Sequence, residues 1–266
     1  MKNLITFSLL LTIISAATLF GADAQSGRKI AETVQDANKT TNRVVWAQLS
    51  VFDNGKKLET RRLIMKTFRK DGRDRGMARF MDGLKRGVTT FTIEQGDNED
   101  NTQYIFVPGV GRPRQIASSE KQNDFEDTDL TNEDMGGRKI NDYNYTLSKE
   151  STVKIGSESF DCYVLLSTHK NPDARFPRYR SWIDKKSLIP VRVAVYGKDG
   201  KLRRQMVAAH IKEVAKGVFM PFYTEVKDLE RKHETKIVVQ QVKIDEPSLR
   251  FEFFTAANMS SPWKEQ

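Results

Sequence analysis

The chain has a single cysteine, Cys162, among its 266 residues. No internal disulfide can form, so the fold must rest on a hydrophobic core, for which this length is ample. Cys162 stands in the alternating run Phe160-Asp161-Cys162-Tyr163-Val164, where a small buried apolar side chain fits better than a catalytic thiol. Histidine is nearly as scarce. His169, His210 and His233 show neither HxxxH nor HExxH spacing, which removes the familiar zinc sites. The sequence has no G-x-S-x-G elbow, no P-loop and no dinucleotide-binding glycine pattern; Gly109-Val110-Gly111 lies between two strand-like runs and opens no helix. Asp127 and Asp129 are two apart, yet the central glycine and bidentate glutamate of an EF-hand are missing. With no nucleophile–base–orienter set, the sequence points away from an enzyme and implies no cofactor and no metal. No nucleic-acid partner is expected.

Long apolar runs are absent after the first 20 or so residues, so nothing later in the chain could span a membrane as a helix. The N-terminal run has the secretory pattern. Lys2 supplies a basic start, residues 4–20 are uncharged and mostly apolar, and Ala22-Asp23-Ala24 offers small residues where a signal peptidase reads. The expectation is a signal peptide over 1–24, cleaved after Ala24, and a soluble exported domain over 25–266. An exported chain without disulfides fits a bacterial periplasm.

What is present is charge, unevenly placed. The net charge is +9. Residues 54–87 hold twelve Lys or Arg against four acidic residues, whereas residues 120–134 hold seven acidic residues against Lys121 alone. Such segregation polarises the surface. It reads either as solvated strand edges guarded by basic side chains or as a patch facing anionic lipid head groups or an acidic partner.

Residues 26–41 read as a helix, with Ile30, Val34 and Ala37 at helical spacing and Ser26 as N-cap. Strand patterns follow at 44–52, 58–68, 78–81, 88–93, 104–107 and 114–117. Beyond the acidic stretch they continue at 143–148, 160–167, 178–184, 191–196, 202–214, 218–227 and 235–244. Turns such as Asp53-Asn54-Gly55, Lys70-Asp71-Gly72 and Lys198-Asp199-Gly200 join neighbours closely, which predicts an antiparallel meander of eleven to thirteen strands in one domain. Several strands are apolar on both faces. A sheet of this size curls into a barrel or splits into a sandwich, and a barrel of about 11 strands is too wide for its own side chains to fill. An apolar cavity closed by a helix or loop is therefore expected. Strand aromatics and aliphatics taken as its lining are Trp46, Ile64, Phe68, Phe91, Val164, Trp182 and Val193.

Four segments together carry a resemblance: Tyr104-Ile105-Phe106-Val107-Pro108, Gly111-Arg112-Pro113-Arg114-Gln115-Ile116, Asp124-Phe125-Glu126-Asp127-Thr128-Asp129-Leu130 and Glu133-Asp134-Met135. In order and spacing they resemble the outer-membrane lipoprotein-sorting branch of the LolA/LolB-like superfamily. The resemblance implies a curved, incompletely closed antiparallel β-barrel, with the N-terminal helix and short helical or loop segments covering its open side. It also implies a periplasmic carrier that takes lipoprotein or lipid acyl chains into the barrel and delivers them towards the outer membrane. The alternative is a non-enzymatic envelope protein that binds an anionic membrane surface, or an inner-membrane transporter, through its charged patches.

Overall fold

The computed structural model describes residues 17–96 and 99–263. Most of the expected leader lies outside them. Helix α1 (Ala17–Asp36) is followed by β1 (Asn42–Asp53), β2 (Lys56–Lys70), β3 (Arg73–Phe80), β4 (Thr89–Ile93), β5 (Thr102–Phe106) and β6 (Arg114–Gln115). A short helix α2 (Asn132–Gly136) precedes β7 (Tyr143–Ile155), β8 (Glu158–His169), β9 (Arg178–Asp184), β10 (Pro190–Tyr196), β11 (Leu202–Ala215), β12 (Val218–Asp228) and β13 (His233–Ile244).

All thirteen strands form one antiparallel sheet in the order β6-β5-β4-β3-β2-β1-β13-β12-β11-β10-β9-β8-β7. Two meanders, β1–β6 and β7–β13, are sewn together where β1 pairs with β13 along its whole length. The turns between neighbours use left-handed backbone at Asn54 (φ 47°) and Gly55 (φ 78°), and again at Asp71 (φ 52°) and Gly72 (φ 75°). Asn, Asp and Gly tolerate these angles, and they match the twist of two-residue hairpins. Register shifts at Trp46/Ala47 and Val51/Phe52 add local bends. The edges β6 and β7 do not pair, so the sheet is a curved, incompletely closed barrel.

Residues 116–142 link those two edges, and they include the acidic stretch. Instead of looping through solvent, the segment turns into the concave face. Phe125 stacks on Phe80 of β3 with ring centroids 5.7 Å apart, and Leu130 joins Leu49, Leu63 and Val226 in the same core. Asp129 is fully buried. The opposite, convex face of β1–β5 is covered by the C-terminal residues. There Val44, Ile64, Met77 and Phe91 pack under Phe254, Met259 and Trp263. Buried Arg79 holds this cover by donating to the carbonyls of Met259 and, at 2.5 Å, Ser261, while its Nε reaches Thr89 Oγ1 at 2.7 Å.

The helix departs from its expected bounds. Among the described residues it runs from Ala17 through the expected cleavage point to Asp36, so Ser26 is an interior residue and not a cap. Asn38 terminates it in the left-handed region (φ 58°). Its side chain accepts from Phe219 N at 2.7 Å and donates to Ser187 O at 2.8 Å, tying the helix exit to the sheet.

Candidate ligand cavity

Helix α1 lies within the concave face against β7 and β8. Gly27 makes this approach possible, because a Cβ there would sit 2.8 Å from the backbone nitrogens of Thr146 and Leu147. Ala31 then packs with Ile140, Leu165 and Ile183, flanked by Ile30, Val34 and Tyr145. Between this helix, β7–β10 and the facing strands β1–β4 lies a cavity of about 500 Å³. That volume is within the range of sites for small organic ligands.

The cavity has two chemically different walls. One is aliphatic and aromatic, formed by Ala31, Val34, Ile140, Leu165 and Ile183 with the rings of Tyr143, Tyr145 and Tyr179. The other is polar and charged, formed by Lys39, Arg43, Asp74 and Glu94 with Thr67 and Thr92. Arg43 donates to Asn38 O at 3.4 Å, and burial pulls its pKa down. Burial, and the neighbouring Glu94, push Asp74 upward despite the Arg69 guanidinium 3.0 Å away.

The aromatic end is cross-braced. Tyr143 Oη donates to Glu133 at 3.2 Å, and its ring meets those of Tyr179 and His169 edge-on. Arg138 lies 4.0 Å over the Tyr179 ring and pairs with Asp134 at 2.6 Å. Burial raises all three tyrosines, Tyr145 and Tyr179 to about 12. Burial also raises Glu133 above the ordinary carboxylate range. The tyrosines stay neutral near pH 7 and Arg138 is paired with Asp134, so the three tyrosine rings offer the ligand an uncharged surface here.

Below the cavity, the inward-turned segment closes the barrel with a network of opposite charges. Asp129 accepts from Thr235 Oγ1 at 2.8 Å and from Arg231 at 3.0 Å, and His233 Nδ1 is 2.9 Å away. Asp124 meets Arg204 at 2.5 Å, Arg231 at 2.8 Å and Arg175 at 2.9 Å. Buried Arg61 donates to Glu126 O at 2.8 Å from the other half of the sheet. The acidic stretch is thus an internal clamp, and His233 is one of its partners.

None of the seven aromatics and aliphatics named from sequence lies among the residues around the 500 Å³ cavity. Trp46, Ile64, Phe68 and Phe91 are brought together, but on the convex face under the C-terminal cover. Trp46 and Ile64 also border a smaller pocket with Met81 and Gln241. Val164 pairs in register with Trp182, on the β8–β9 face away from the Leu165 side chain that meets α1. Val193 faces inward but packs with Tyr143, Phe176 and Tyr179. On β7–β9 the residues that do line the cavity alternate, as Tyr143 and Tyr145, Leu165 and Ser167, and Tyr179, Ser181 and Ile183. Alternation groups such positions, yet it does not say which face is concave when both are covered.

This open, helix-lined barrel is the LolA-like fold. A family model described as an uncharacterized protein matches residues 72–261, and the chain belongs to that family. Among solved structures, a proposed outer membrane lipoprotein-sorting protein domain from Vibrio parahaemolyticus superposes with a TM-score of 0.79 at 17% identity, covering 89% of this chain and 99% of that one. A DUF1329 family protein from Desulfovibrio piger gives 0.78 at 22% identity, with the same coverages. A LolA superfamily protein from Nitrosomonas europaea gives 0.61 at 16% identity, covering 88% of this chain and 97% of that one. No curated protein matches the sequence.

Proposed function

We propose that the protein is a periplasmic carrier that holds an acyl chain, from a lipid or a lipoprotein, in the cavity between α1 and the concave face of the barrel. The observation that carries this reading is the 500 Å³ space with an apolar wall of Ala31, Val34, Ile140, Leu165 and Ile183 on one side and Lys39 and Arg43 on the other. Each methylene buried against the apolar wall contributes about 0.8 kcal/mol. The charged wall faces the end of the ligand that remains hydrated. The fold similarity to a lipoprotein-sorting domain and a LolA superfamily protein supports the same class of cargo. Export by a signal peptide ending at Ala24, and delivery towards the outer membrane, belong to this proposal.

The test is extraction of the protein purified from its native envelope, followed by mass spectrometry of the organic phase. A stoichiometric lipid or acyl-peptide is expected, and it should fall at least tenfold in Leu165→Trp or Ser181→Trp, whose side chains fill the cavity. Equal recovery from the filled variants, or no bound amphiphile, contradicts the reading.

A further inference from the structure

Among the described residues, six large apolar side chains are exposed, and four of them, Leu58, Leu84, Val107 and Val110, share one corner of the molecule. Leu84 is 92% exposed and Val110 66%. Leu84 sits at the tip of the β3–β4 loop, in Asp82-Gly83-Leu84-Lys85-Arg86-Gly87. Val110 sits at the tip of the β5–β6 loop, in Pro108-Gly109-Val110-Gly111-Arg112-Pro113. The two loops touch: a Cβ on Gly87 would lie 2.8 Å from Pro108 Cγ. Gly83 in turn lies against the Arg61 side chain, 3.3 Å from such a Cβ, beside the start of β2 that carries Leu58. Left-handed backbone at Gly83 (φ 71°), Gly87 (φ 84°) and Gly111 (φ 81°) shapes both tips.

Around these apolar tips stand exposed cations: Lys56, Lys57, Arg86, Arg112 and Arg114. Residues 53–62, 82–87 and 107–114 together hold eight Lys or Arg and three acidic residues. Two of those three acids are already engaged, Glu59 by Arg61 and Asp82 by Arg62 at 2.6 Å. Lys85 is turned back to Glu126 at 3.1 Å and Asp127 at 2.8 Å, Arg61 is buried, Arg62 pairs with Asp82 and Arg114 with Glu120 at 2.9 Å, which leaves Lys56, Lys57, Arg86 and Arg112 as the outward-facing cations. A soluble surface gains nothing from a leucine at a loop tip with nearly all of its area in water. Exposed apolar side chains clustered with lysine and arginine match an interface in which the apolar groups enter the acyl boundary and the cations meet anionic head groups.

We propose that the corner formed by Leu58, Leu84, Val107 and Val110 with Lys56, Lys57, Arg86 and Arg112 is a docking surface for an anionic lipid bilayer. Leu84 and Val110 are its inserting residues. The surface is separate from the cavity beneath α1 and does not depend on what that cavity holds.

Co-sedimentation with vesicles tests it, using the full chain in low and high salt. One vesicle set contains phosphatidylglycerol in phosphatidylethanolamine, and the other is phosphatidylcholine alone. Binding to the anionic set is expected to exceed binding to phosphatidylcholine by at least tenfold and to weaken in high salt. Leu84→Ser/Val110→Ser and Arg86→Glu/Arg112→Glu should each lower it about tenfold, while Lys198→Glu/Lys201→Glu, on the β10–β11 turn, should leave it within twofold. The altered side chains are exposed, so circular dichroism should be unchanged. A tryptophan placed by Leu84→Trp should shift to the blue with anionic vesicles. Equal binding by the Leu84/Val110 variant, an equal loss from the Lys198/Lys201 variant, or an unshifted tryptophan overturns the proposal.

Discussion

Thr235 and Asp129 are 106 positions apart in sequence, yet the threonine hydroxyl donates to the buried carboxylate at 2.8 Å and accepts from the Asp129 backbone N–H at 2.9 Å. The contact fixes the segment that joins the two sheet edges to β13, at the centre of the sheet. Asp129→Ala leaves Arg231, His233 and Thr235 without their shared acceptor. The expected loss is about 3–5 kcal/mol, as for a buried pair deprived of one partner. Thr235→Val should cost less, and the two changes should be non-additive by about 0.5–3 kcal/mol in a denaturation double-mutant cycle.

The same clamp makes stability depend on acid. Burial pushes the carboxyls of Asp124 and Asp228 up, but Arg204 and Arg231 outweigh it and hold both below the ordinary value. A carboxylate lowered on folding contributes stability above its unfolded pKa, about 3.9, and loses it as pH falls through the folded value. Thermal melts should therefore show Tm falling below about pH 4, with a shallower fall in Asp124→Asn.

Glu133 has the opposite sign. Burial raises its pKa, so its contribution is complete below about pH 4.3 and is lost as pH rises through the folded value. Glu133→Gln keeps an acceptor for Tyr143 and removes the buried charge. Its Tm should exceed that of the parent at pH 7 and converge with it near pH 4.

Helix α1 is held by close approach, so Gly27→Ala should destabilise although alanine is the better helix former by about 1 kcal/mol. The added methyl meets backbone that cannot rotate away. Overpacking of this kind costs about 1–3 kcal/mol, readable as a lower urea midpoint. A net gain in stability would contradict the packing described.

The strands were legible because period-2 alternation and Asn-Gly or Asp-Gly turns are local signals, and each of the thirteen segments marked from sequence lies on a strand of the sheet. The resemblance carried by residues 104–135 led to the fold itself. The face of each strand was not legible. Trp46, Ile64, Phe68 and Phe91 alternate as cavity residues would, but Phe254, Met259 and Trp263 arrive from the far end of the chain to cover them. The lining tyrosines 143, 145 and 179 carry the same alternation with no mark of facing inward. The acidic stretch hid its role for a similar reason. In sequence Asp129 looks no different from the exposed Asp127 until arginines from β11 and the β12–β13 turn, 75 and 102 positions away, close on it.

Photolabelling with a diazirine-bearing palmitate, read by peptide mass spectrometry, tests most directly whether the space beneath α1 holds an acyl chain. Label should concentrate on peptides containing residues 31–35, 135–145, 165–167 and 179–183, and should fall sharply in Ser181→Trp. Label spread over the outer surface, or confined to the convex face around Trp46 and Phe91, would contradict it.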